Sequence, residues 1–552
     1  MATQVTNASQ KYKDIISKCV LIHSGSPAVY QLRPKEEKIG TLRKTTLGEK
    51  CLDKTNKTIL LVGETGTGKS ALINALVNYT MGVTWEDDVW FQIMEEEKKS
   101  QSESQTSDVI VYQIFEGKTL PYSLTVIDTP GYGHTGGIER DYTVSQRLLD
   151  WFRSDDGVHD LNAVGLVLKA TDNRLSDRLR YIFDSVVSLF GKNMEKNIVA
   201  LITHSDGRTP KNALKALEDA NIKCARNEKN LPVHFLFNNC QHEDRTEDTE
   251  ILQHADGITT KGMSQFTDFL RKTAPQNLNR TVEVLNERIR LTACIQNLTE
   301  RVESIELQQN AIEETKEALK KLEDNMKKNE KFTVHITEVY KEKVEVSESR
   351  WWALWLNYGG AVCCTKCEEN CHYPCTLDWY AEHCEVMSGG RCTSCTGKCP
   401  ASDHVKEKKM YVTKTRTVEK TNEDMKKTYE TNKAGSAEQS SFLEDLEKKM
   451  EELQKDKDQW LEEAFQHVVR LEQIALHVDS LSTHVHLDFL IEKMKEKGDT
   501  EKVQKLEEMK SRVTENKGKR AALQYMCSQL TAAGKAAGKA AGKAVKGVFM
   551  KK

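Results

Sequence analysis

The residues best suited to chemistry form one loop of eight that follows the apolar run 59–62. They have the pattern of a phosphate-binding P-loop and read Gly63, Glu64, Thr65, Gly66, Thr67, Gly68, Lys69 and Ser70. Glycines allow backbone N–H groups to turn toward phosphate oxygens, while Lys69 can contact the terminal phosphates and Ser70 can reach Mg²⁺. The stretch from Ala71 to Val77 is predicted to be a helix whose positive end faces the same anions. A glycine-rich turn without a ligand is the alternative, but the flanking strand and helix favour the phosphate site.

A second predicted strand, 122–127, ends in the turn Asp128-Thr129-Pro130-Gly131. At that position Asp128 is expected to hold Mg²⁺ together with Ser70, and the Gly131 N–H is expected to sense a γ-phosphate. The same four residues are also found in ordinary surface turns. The predicted Mg²⁺ role of this turn therefore depends on the presence of the P-loop earlier in the sequence.

The polar stretch 98–107, which precedes a predicted strand at 109–115, has the composition of a mobile switch. Thr106 in this stretch is the candidate to contact both Mg²⁺ and the γ-phosphate. Lys69, Thr106 and Gly131 are thus the predicted catalytic residues. The residues after Gly131 include no Gln that could orient a water, so intrinsic hydrolysis is predicted to be slow.

A further predicted strand, 197–202, ends in Thr203-His204-Ser205-Asp206. A carboxylate can accept from N1–H and from the exocyclic amine of guanine, and each such bond contributes about 1.5 to 3 kcal/mol. Adenine has no matching donor pair, so Asp206 favours GTP over ATP. The last strand, 233–237, ends in Asn238 and Asn239, which are expected to close the base pocket, although an Asn pair alone is only a turn signal.

Strands that alternate with helices predict an α/β domain with a mostly parallel sheet and helices on both faces. The ligand of such a sheet lies at the carboxyl ends of its strands, where the loops described above meet. We expect this nucleotide-binding domain to span residues 55–275.

The segments GETGTGKSALINAL, DTPGYG, THSD and FNN, in this order, resemble the septin and immunity-associated (GIMAP or AIG-type) branch of the P-loop GTPases. The rest of the chain is more loosely similar to fish GTPases with long coiled-coil tails. The resemblance implies binding of GTP and GDP with Mg²⁺, nucleotide-dependent association through the G domain into homo-oligomers, and slow turnover. Thr203 and His204 stand where this class usually has Asn and Lys, so base affinity would depend mainly on Asp206. A facing protomer that supplies an Arg or His is the expected source of the missing transition-state charge.

Beyond Lys272 glycine and proline become rare and the chain is predicted to be helical over 276–330. Apolar residues recur there at alternating spacings of four and three, as in the seam of a coiled coil: Leu291, Ile295, Leu298, Val302, Ile305, Ile312, Leu319 and Met326. Polar Gln309, Lys316 and Glu323 interrupt the seam. An amphipathic helix that packs on its own chain is therefore an open alternative.

Two stretches of alternating polar and apolar residues, 332–346 and 411–418, predict strands on either side of a cysteine-rich segment. We expect a β-ribbon with a cysteine-rich tip over 331–421 and returning helices over 422–520. The simplest arrangement is a hairpin of helix, strand, tip, strand and helix.

Nine of the fifteen cysteines lie between Cys363 and Cys399, which in a reducing compartment indicates metal binding. Six of them form an internal repeat with zinc-site spacing: Cys364, Cys367, Cys371, Cys392, Cys395 and Cys399. The shells could be completed by His372, His383, His404, Cys363, Cys375 and Cys384. Two structural zinc ions, or one four-cysteine site plus a partial site, both fit, and disulfides are the competing interpretation.

The 552 residues include 80 Lys and Arg against 83 Asp and Glu, so the overall charge predicts no specific nucleic-acid partner. The absence of a long apolar run predicts a soluble, cytoplasmic protein. Residues 1–54 have no motif and are expected to be a linker region. Residues 521–552 form an Ala/Gly/Lys-rich basic tail, expected to be poorly ordered or to make a weak contact with an anionic membrane.

Two functions therefore remain open. The first is a slow Mg²⁺-dependent GTPase that acts as an assembly switch through its G domain. The second is a GTP-bound scaffold that hydrolyses little and binds protein partners through its zinc tip and coiled coil. An ATP-driven motor is disfavoured by Asp206.

Overall fold

A computed structural model of the protein describes residues 11–39, 42–50, 53–94, 109–115, 117–129, 147–148, 151–154, 157–326, 333–345, 360–375, 380–421, 441–476 and 481–514. The chain divides into two compact units. The first consists of Met1–Leu285, Ile474–Val485 and Glu508–Lys552, and the second of Asn286–Gln473 and His486–Glu507. Among the described residues, no helix has the length and apolar character needed to cross a membrane.

Among the described residues, the first unit contains thirteen strands and five whole helices. Its strands are β1 (Val20–Ser24), β2 (Ala28–Gln31), β3 (Lys35–Ile39), β4 (Leu42–Leu47), β5 (Asn56–Gly63), β6 (Val89–Gln92), β7 (Ile110–Ile114), β8 (Ser123–Asp128), β9 (Asp160–Leu161), β10 (Ala163–Lys169), β11 (Ile198–Thr203), β12 (His234–Leu236) and β13 (Gln276–Asn277). Its helices are α1 (Lys13–Ile16), α2 (Lys69–Met81), α3 (Asp177–Val187), α4 (Lys211–Asp219) and α5 (Thr249–Lys272).

Eight strands form the main sheet, in the order β12-β11-β10-β5-β8-β7-β4-β3. The strands from β12 to β8 are parallel, and the predicted mostly parallel α/β sheet is confirmed. All six residues of β8 and all six of β11 are buried, as expected for strands covered on both faces. Because β5 lies between β10 and β8, the P-loop that follows it is at the centre of the sheet's carboxyl edge.

The prediction of a linker before residue 55 is wrong for two segments, Lys35–Ile39 and Leu42–Leu47, which are strands. Strand β3 pairs antiparallel with β4, and β4 pairs parallel with β7, so both strands extend the main sheet. Opposite charges meet across the outer pair, with Glu36 Oε1 3.1 Å from Arg43 Nη2 and Glu37 Oε2 3.8 Å from Lys44 Nζ. A run of charged residues is therefore compatible with an edge strand, which can face solvent.

The second unit combines long helices with small sheets. Its elements are α6 (Asn279–Met326), β14 (Thr333–Glu345), β15 (Gly360–Cys364), β16 (Glu369–Cys375), β17 (Met387–Ser388), β18 (Arg391–Cys392), β19 (His404–Glu407), β20 (Lys409–Thr421), α7 (Ser441–Ile474), α8 (Leu481–Lys497) and α9 (Thr500–Thr514). Each of these four helices extends into the first unit at one end. Strands β14 and β20 pair antiparallel over thirteen residues each, which confirms the predicted ribbon. Strand β15 pairs with both β16 and β19.

The predicted seam on α6 is covered by the protein's own chain. Six of its apolar residues are buried, namely Leu291, Ile295, Leu298, Val302, Ile305 and Ile312. Helix α7 lies antiparallel along α6, since His467 Nδ1 is 2.9 Å from Glu287 Oε2 and the Arg301 guanidinium lies 4.3 Å from the centre of the Trp460 ring. These contacts support the amphipathic-helix alternative. A coiled coil with a second chain stays a prediction.

The cysteine-rich module, residues 360–407, is not at the far end of a hairpin. The Thr337 N–H of β14 donates to Glu314 Oε2 over 3.3 Å, and Arg301 Nη2 is 2.6 Å from Glu369 Oε2. The ribbon thus runs back along α6, and the module lies beside the earlier part of the helix. The module is held against α6 by the ion pair between Arg301 and Glu369 and by Ala293, which packs in the core of the module. Neither contact is visible in hydrophobic periodicity.

Candidate functional site

Backbone carbonyl groups of the P-loop accept hydrogen bonds from the loop's own lysine, Lys69. Gly66 and Gly68 have φ of 80° and 88°, a region that side-chain-bearing residues rarely adopt, and Gly68 directly precedes α2. A Cβ at Gly63 would lie 2.6 Å from the Val167 carbonyl oxygen of β10. Lys69 Nζ donates to the Gly63 carbonyl at 2.7 Å and to the Glu64 carbonyl at 3.3 Å. The backbone N–H groups of the loop and the Lys69 ammonium therefore lie at the start of α2, whose first turn includes Ser70 and Ala71.

Asp128 lies on the neighbouring strand at the same edge of the sheet. It is the last residue of β8, its side chain is fully buried, and its register partner on β5 is Leu61. The Thr129 hydroxyl donates to the Leu61 carbonyl over 2.8 Å and fixes the chain just beyond the strand. Burial, and after it the charge of Asp128, raises the pKa of Tyr112 on β7.

Two predicted site residues cannot be placed relative to this edge. Thr106 and Gly131 lie outside the described residues. Their roles, like those of the other predicted ligands of nucleotide and Mg²⁺, stay predictions.

The side chain of Thr203 contacts the P-loop. Its buried hydroxyl donates to the Thr67 carbonyl over 2.6 Å and approaches the Leu168 carbonyl at 3.3 Å. His204 follows with a φ of 51°, its Nδ1 lies 3.1 Å from the Thr203 hydroxyl, and burial lowers its pKa. The Thr203 hydroxyl thus connects the end of β11 to the P-loop, and its predicted contact with the base stays a prediction.

Asp206 is well exposed at the end of the same loop. Its Oδ1 accepts from the Arg208 N–H over 2.9 Å, so one carboxylate oxygen is held in a tight turn. The side chain of Asp206 is 69% exposed and therefore accessible to a ligand. Ser205 holds the loop against the chain that follows β12, because its N–H donates to the Phe237 carbonyl over 3.0 Å.

Asn238 and Asn239 follow β12 beside that loop, and α5 holds them in place. The Thr259 hydroxyl of α5 donates to the Asn238 carbonyl over 2.8 Å and accepts from the Asn238 N–H over 2.9 Å. Sequence reasoning missed Thr259, because a single Thr inside a helical pattern carries no signal of such a contact.

The cysteine-rich module brings the two halves of its repeat together. One group contains Cys364 and Cys367 from the first half with Cys395 and Cys399 from the second. Another contains Cys371, Cys392, Cys395 and His404, and in each group all ligand atoms lie within 4.8 Å of one another. Each group thus combines cysteines from both halves of the repeat. Cys395 belongs to both groups.

Sulfur distances argue against disulfides in this module. All thirteen described cysteines are free thiols, and Cys367 Sγ lies 3.6 Å from Cys399 Sγ. A disulfide needs about 2.05 Å, whereas two thiolates on one tetrahedral zinc, each about 2.3 Å from the ion, lie about 3.8 Å apart. The observed distance fits a shared ion. These cysteines can therefore hold a metal.

Backbone N–H groups point at the sulfurs, as is favourable for thiolates. Sulfur atoms of four cysteines accept such bonds at 3.2 to 3.3 Å, with donors on Cys367, Ser394, Cys395, Gly397 and Cys399 and acceptors on Cys364, Cys367, Cys392 and Cys395. A Cβ at Gly397 would lie 2.9 Å from Cys399 Sγ, so glycine permits this close approach. Hydrogen bonds to the charged form stabilise it.

His404 has the tautomer expected of a metal ligand. Its Nδ1 lies 2.9 Å from the Pro400 carbonyl, to which it donates, and this leaves Nε2 as the free ligand atom. Burial alone would lower the pKa of His404, but the sulfurs of Cys392 and Cys395 outweigh it and raise the pKa to about 10, so a metal ion among these sulfurs would replace a proton on Nε2.

Three other candidates have different surroundings. His372 joins neither repeat group and lies instead with Cys375, Cys384 and Glu385. Cys363 is buried, and its Sγ donates to Asn370 Oδ1 over 3.5 Å. The side chain of His383 is 55% exposed. Neither of these last two belongs to a possible metal group among the described residues.

Comparison with known proteins identifies the first domain. Residues 57–261 match the model of the AIG1 family. Together with the observed sheet and P-loop, this match defines an AIG-type P-loop GTPase domain. The chain therefore carries an AIG1-family domain over these residues, and the match supports a GTP-binding protein of the GTPase class.

Solved structures show weaker similarity. Toc33 from Arabidopsis thaliana in complex with GDP and Mg²⁺ is 13% identical, with 41% of this chain and 89% of that chain covered and a TM-score of 0.29. Elongation factor SelB from Methanococcus maripaludis with a GTP analogue is 12% identical, with 41% and 36% covered and a TM-score of 0.23. No curated protein matches the chain.

Proposed function

We propose that the protein is a slow, Mg²⁺-dependent GTPase whose G domains associate in the GTP state. The observation that carries this proposal is the link between Thr203 and Thr67, which joins the loop bearing Asp206 to the P-loop. A guanine nucleotide would contact both loops at once, with its phosphates at the P-loop and its base at Asp206. Lys69 and the loop amides would bind the phosphates, Ser70 and Asp128 would hold Mg²⁺, and Asp206 would read guanine.

The proposed cycle depends on association. Since the sequence has no Gln in the four residues 131–134, the domain lacks an evident group to orient the attacking water. An Arg or His supplied by a second copy could raise the rate by about 10³ to 10⁵. Thr106 and Gly131 would then be the residues that respond to the γ-phosphate.

The test is phosphate release by the full-length protein with GTP or ATP, each with Mg²⁺, over a range of protein concentrations. We expect release from GTP alone, with specific activity that rises with protein concentration, and a Lys69→Ala variant as the inactive control. Flat specific activity would contradict association. Tight GTP binding without release would instead support the scaffold alternative, and a preference for ATP would contradict the base-site assignment.

We also propose that the cysteine repeat binds two structural zinc ions. Seven residues would fill two tetrahedral shells, because the Cys395 thiolate would count in both. With four protein ligands each, neither ion would have an open position for catalysis. Binding of about 10 to 16 kcal/mol per structural site would stabilise a module that has few aliphatic residues. Partner binding through this unit is part of the scaffold alternative.

A further inference from the structure

Four potential metal ligands gather outside the cysteine repeat. His372 and Cys375 lie on β16, while Cys384 and Glu385 follow the short helical turn Ala381–His383. Their ligand atoms all lie within 4.8 Å of one another. The group shares no residue with the two repeat groups, so it is independent of Cys395.

All four side chains are buried in the interior of the module. His372 is 6% exposed, Cys375 1%, Cys384 3% and Glu385 3%. Burying a carboxylate beside two thiols is costly unless a positive charge accompanies it. A protonated His372 could supply that charge in part, and a divalent cation could supply it more fully.

The distances match the edges of a tetrahedron around zinc. Usual zinc bond lengths give edges of about 3.8 Å for S···S, about 3.6 Å for N···S and S···O, and about 3.4 Å for N···O. Cys375 Sγ is 3.8 Å from Cys384 Sγ, and Cys384 Sγ is 3.7 Å from Glu385 Oε2. His372 Nδ1 is 3.2 Å from Cys384 Sγ and 3.3 Å from Glu385 Oε2. Four edges thus agree with a single ion to within about 0.4 Å.

We propose that His372, Cys375, Cys384 and Glu385 bind a third zinc ion. The donors are two thiolates, one carboxylate and one neutral imidazole, which fill a tetrahedral shell and make the site structural. The ion joins the end of β16 to the segment before β17. The Glu385 carbonyl accepts from Arg290 Nε over 3.0 Å, so the same site fixes the module against α6.

The competing explanation is a buried ion pair between His372 and Glu385 with no metal. In that case the two cysteines would be ordinary packing residues, and their replacement would not change metal content. The two explanations therefore predict different numbers of zinc ions per chain. They also predict different effects of replacing Cys384 on the metal content.

The experiment measures zinc in the full-length protein by elemental analysis after exhaustive dialysis. We expect three zinc ions per chain, and two in Cys384→Ser. The matched control is Cys363→Ser, which changes a buried thiol of the same module that lies outside the three groups and should retain three. His372→Gln should also lose one ion, whereas His383→Gln should lose none.

Cadmium NMR of the metal-exchanged wild-type protein gives a readout that does not depend on variant stability. Wild-type protein should show three resonances, of which two are mutually coupled through the Cys395 sulfur and one is not. Glu385→Gln should remove or shift the uncoupled resonance alone. Two zinc ions in wild-type protein, or an unchanged count in soluble Cys384→Ser, would overturn the third site. Fewer than two would also contradict the proposed zinc pair.

Discussion

The Thr203 hydroxyl donates a 2.6 Å hydrogen bond to the Thr67 carbonyl, and this bond connects the end of β11 to the P-loop. Thr67 is itself held by the loop, since its hydroxyl donates to the Glu64 carbonyl over 2.8 Å. We therefore expect a displacement of the P-loop to move Thr203 and the other residues that precede Asp206. We expect the two halves of the nucleotide site to respond together.

Thr203→Val should weaken both GTP and GDP about tenfold, because removal of one buried hydrogen-bond partner costs about 1 to 3 kcal/mol. The measurement is isothermal titration of each nucleotide in the presence of Mg²⁺. Thr209→Val, at an exposed position of the same connection, should leave both affinities unchanged. Equal affinities for wild-type and Thr203→Val would show that the bond does not position the site.

Asp206→Asn should lower GTP affinity about 10- to 100-fold and raise affinity for the xanthine nucleotide, because the amide donates where the carboxylate accepts. Competition binding with both nucleotides measures the change. Asp219→Asn on the exposed end of α4 is the control. GTP affinity that does not change would remove Asp206 from the base site.

Gly262→Ala should destabilise the G domain by about 1 to 3 kcal/mol, because the added methyl would lie 2.0 Å from the Leu236 carbonyl oxygen of β12. The same substitution at Gly257, five residues earlier on α5 with open space around it, should stabilise by about 0.5 to 1 kcal/mol. Thermal unfolding of both variants provides the comparison. Similar midpoints would contradict the close contact between α5 and β12.

Glu287→Gln should destabilise the second unit by about 1.5 to 3 kcal/mol at pH 7 through lost hydrogen bonds to a charged group. Burial alone would raise the pKa of Glu287, but His467 and Arg290, each 2.9 Å away, lower it below its usual value. The stabilisation is therefore present above the unfolded pKa of about 4.3 and is lost as the pH falls through the lower folded pKa.

Urea unfolding of wild-type and Glu287→Gln proteins at neutral pH and below pH 4 tests this expectation. Any loss of metal in acid is common to both proteins, so the difference between them isolates the carboxylate. A difference that stays constant or grows in acid would contradict the stated sign.

Sequence patterns were most informative where local chemistry and periodicity agree. The P-loop pattern predicted the strand, turn and helix at 56–81 because its glycines are required by backbone geometry, with φ of 80° and 88° at Gly66 and Gly68. Continuous apolar runs predicted the central strands with small errors at their ends. The charged strand β3 was missed, because cross-strand pairing with β4 rather than an apolar pattern stabilises it.

The sequence by itself determined the class of the first domain and the presence of a cysteine repeat with metal-site spacing, since both depend on residue types at short separations. Only the tertiary structure decided which thiols meet, that Cys395 lies in two groups, and that Glu385 joins His372. It also decided that Thr203 contacts Thr67, although 136 positions separate them. Spacing along the chain constrains neighbours within a turn, whereas contacts between distant segments depend on how sheets and helices pack.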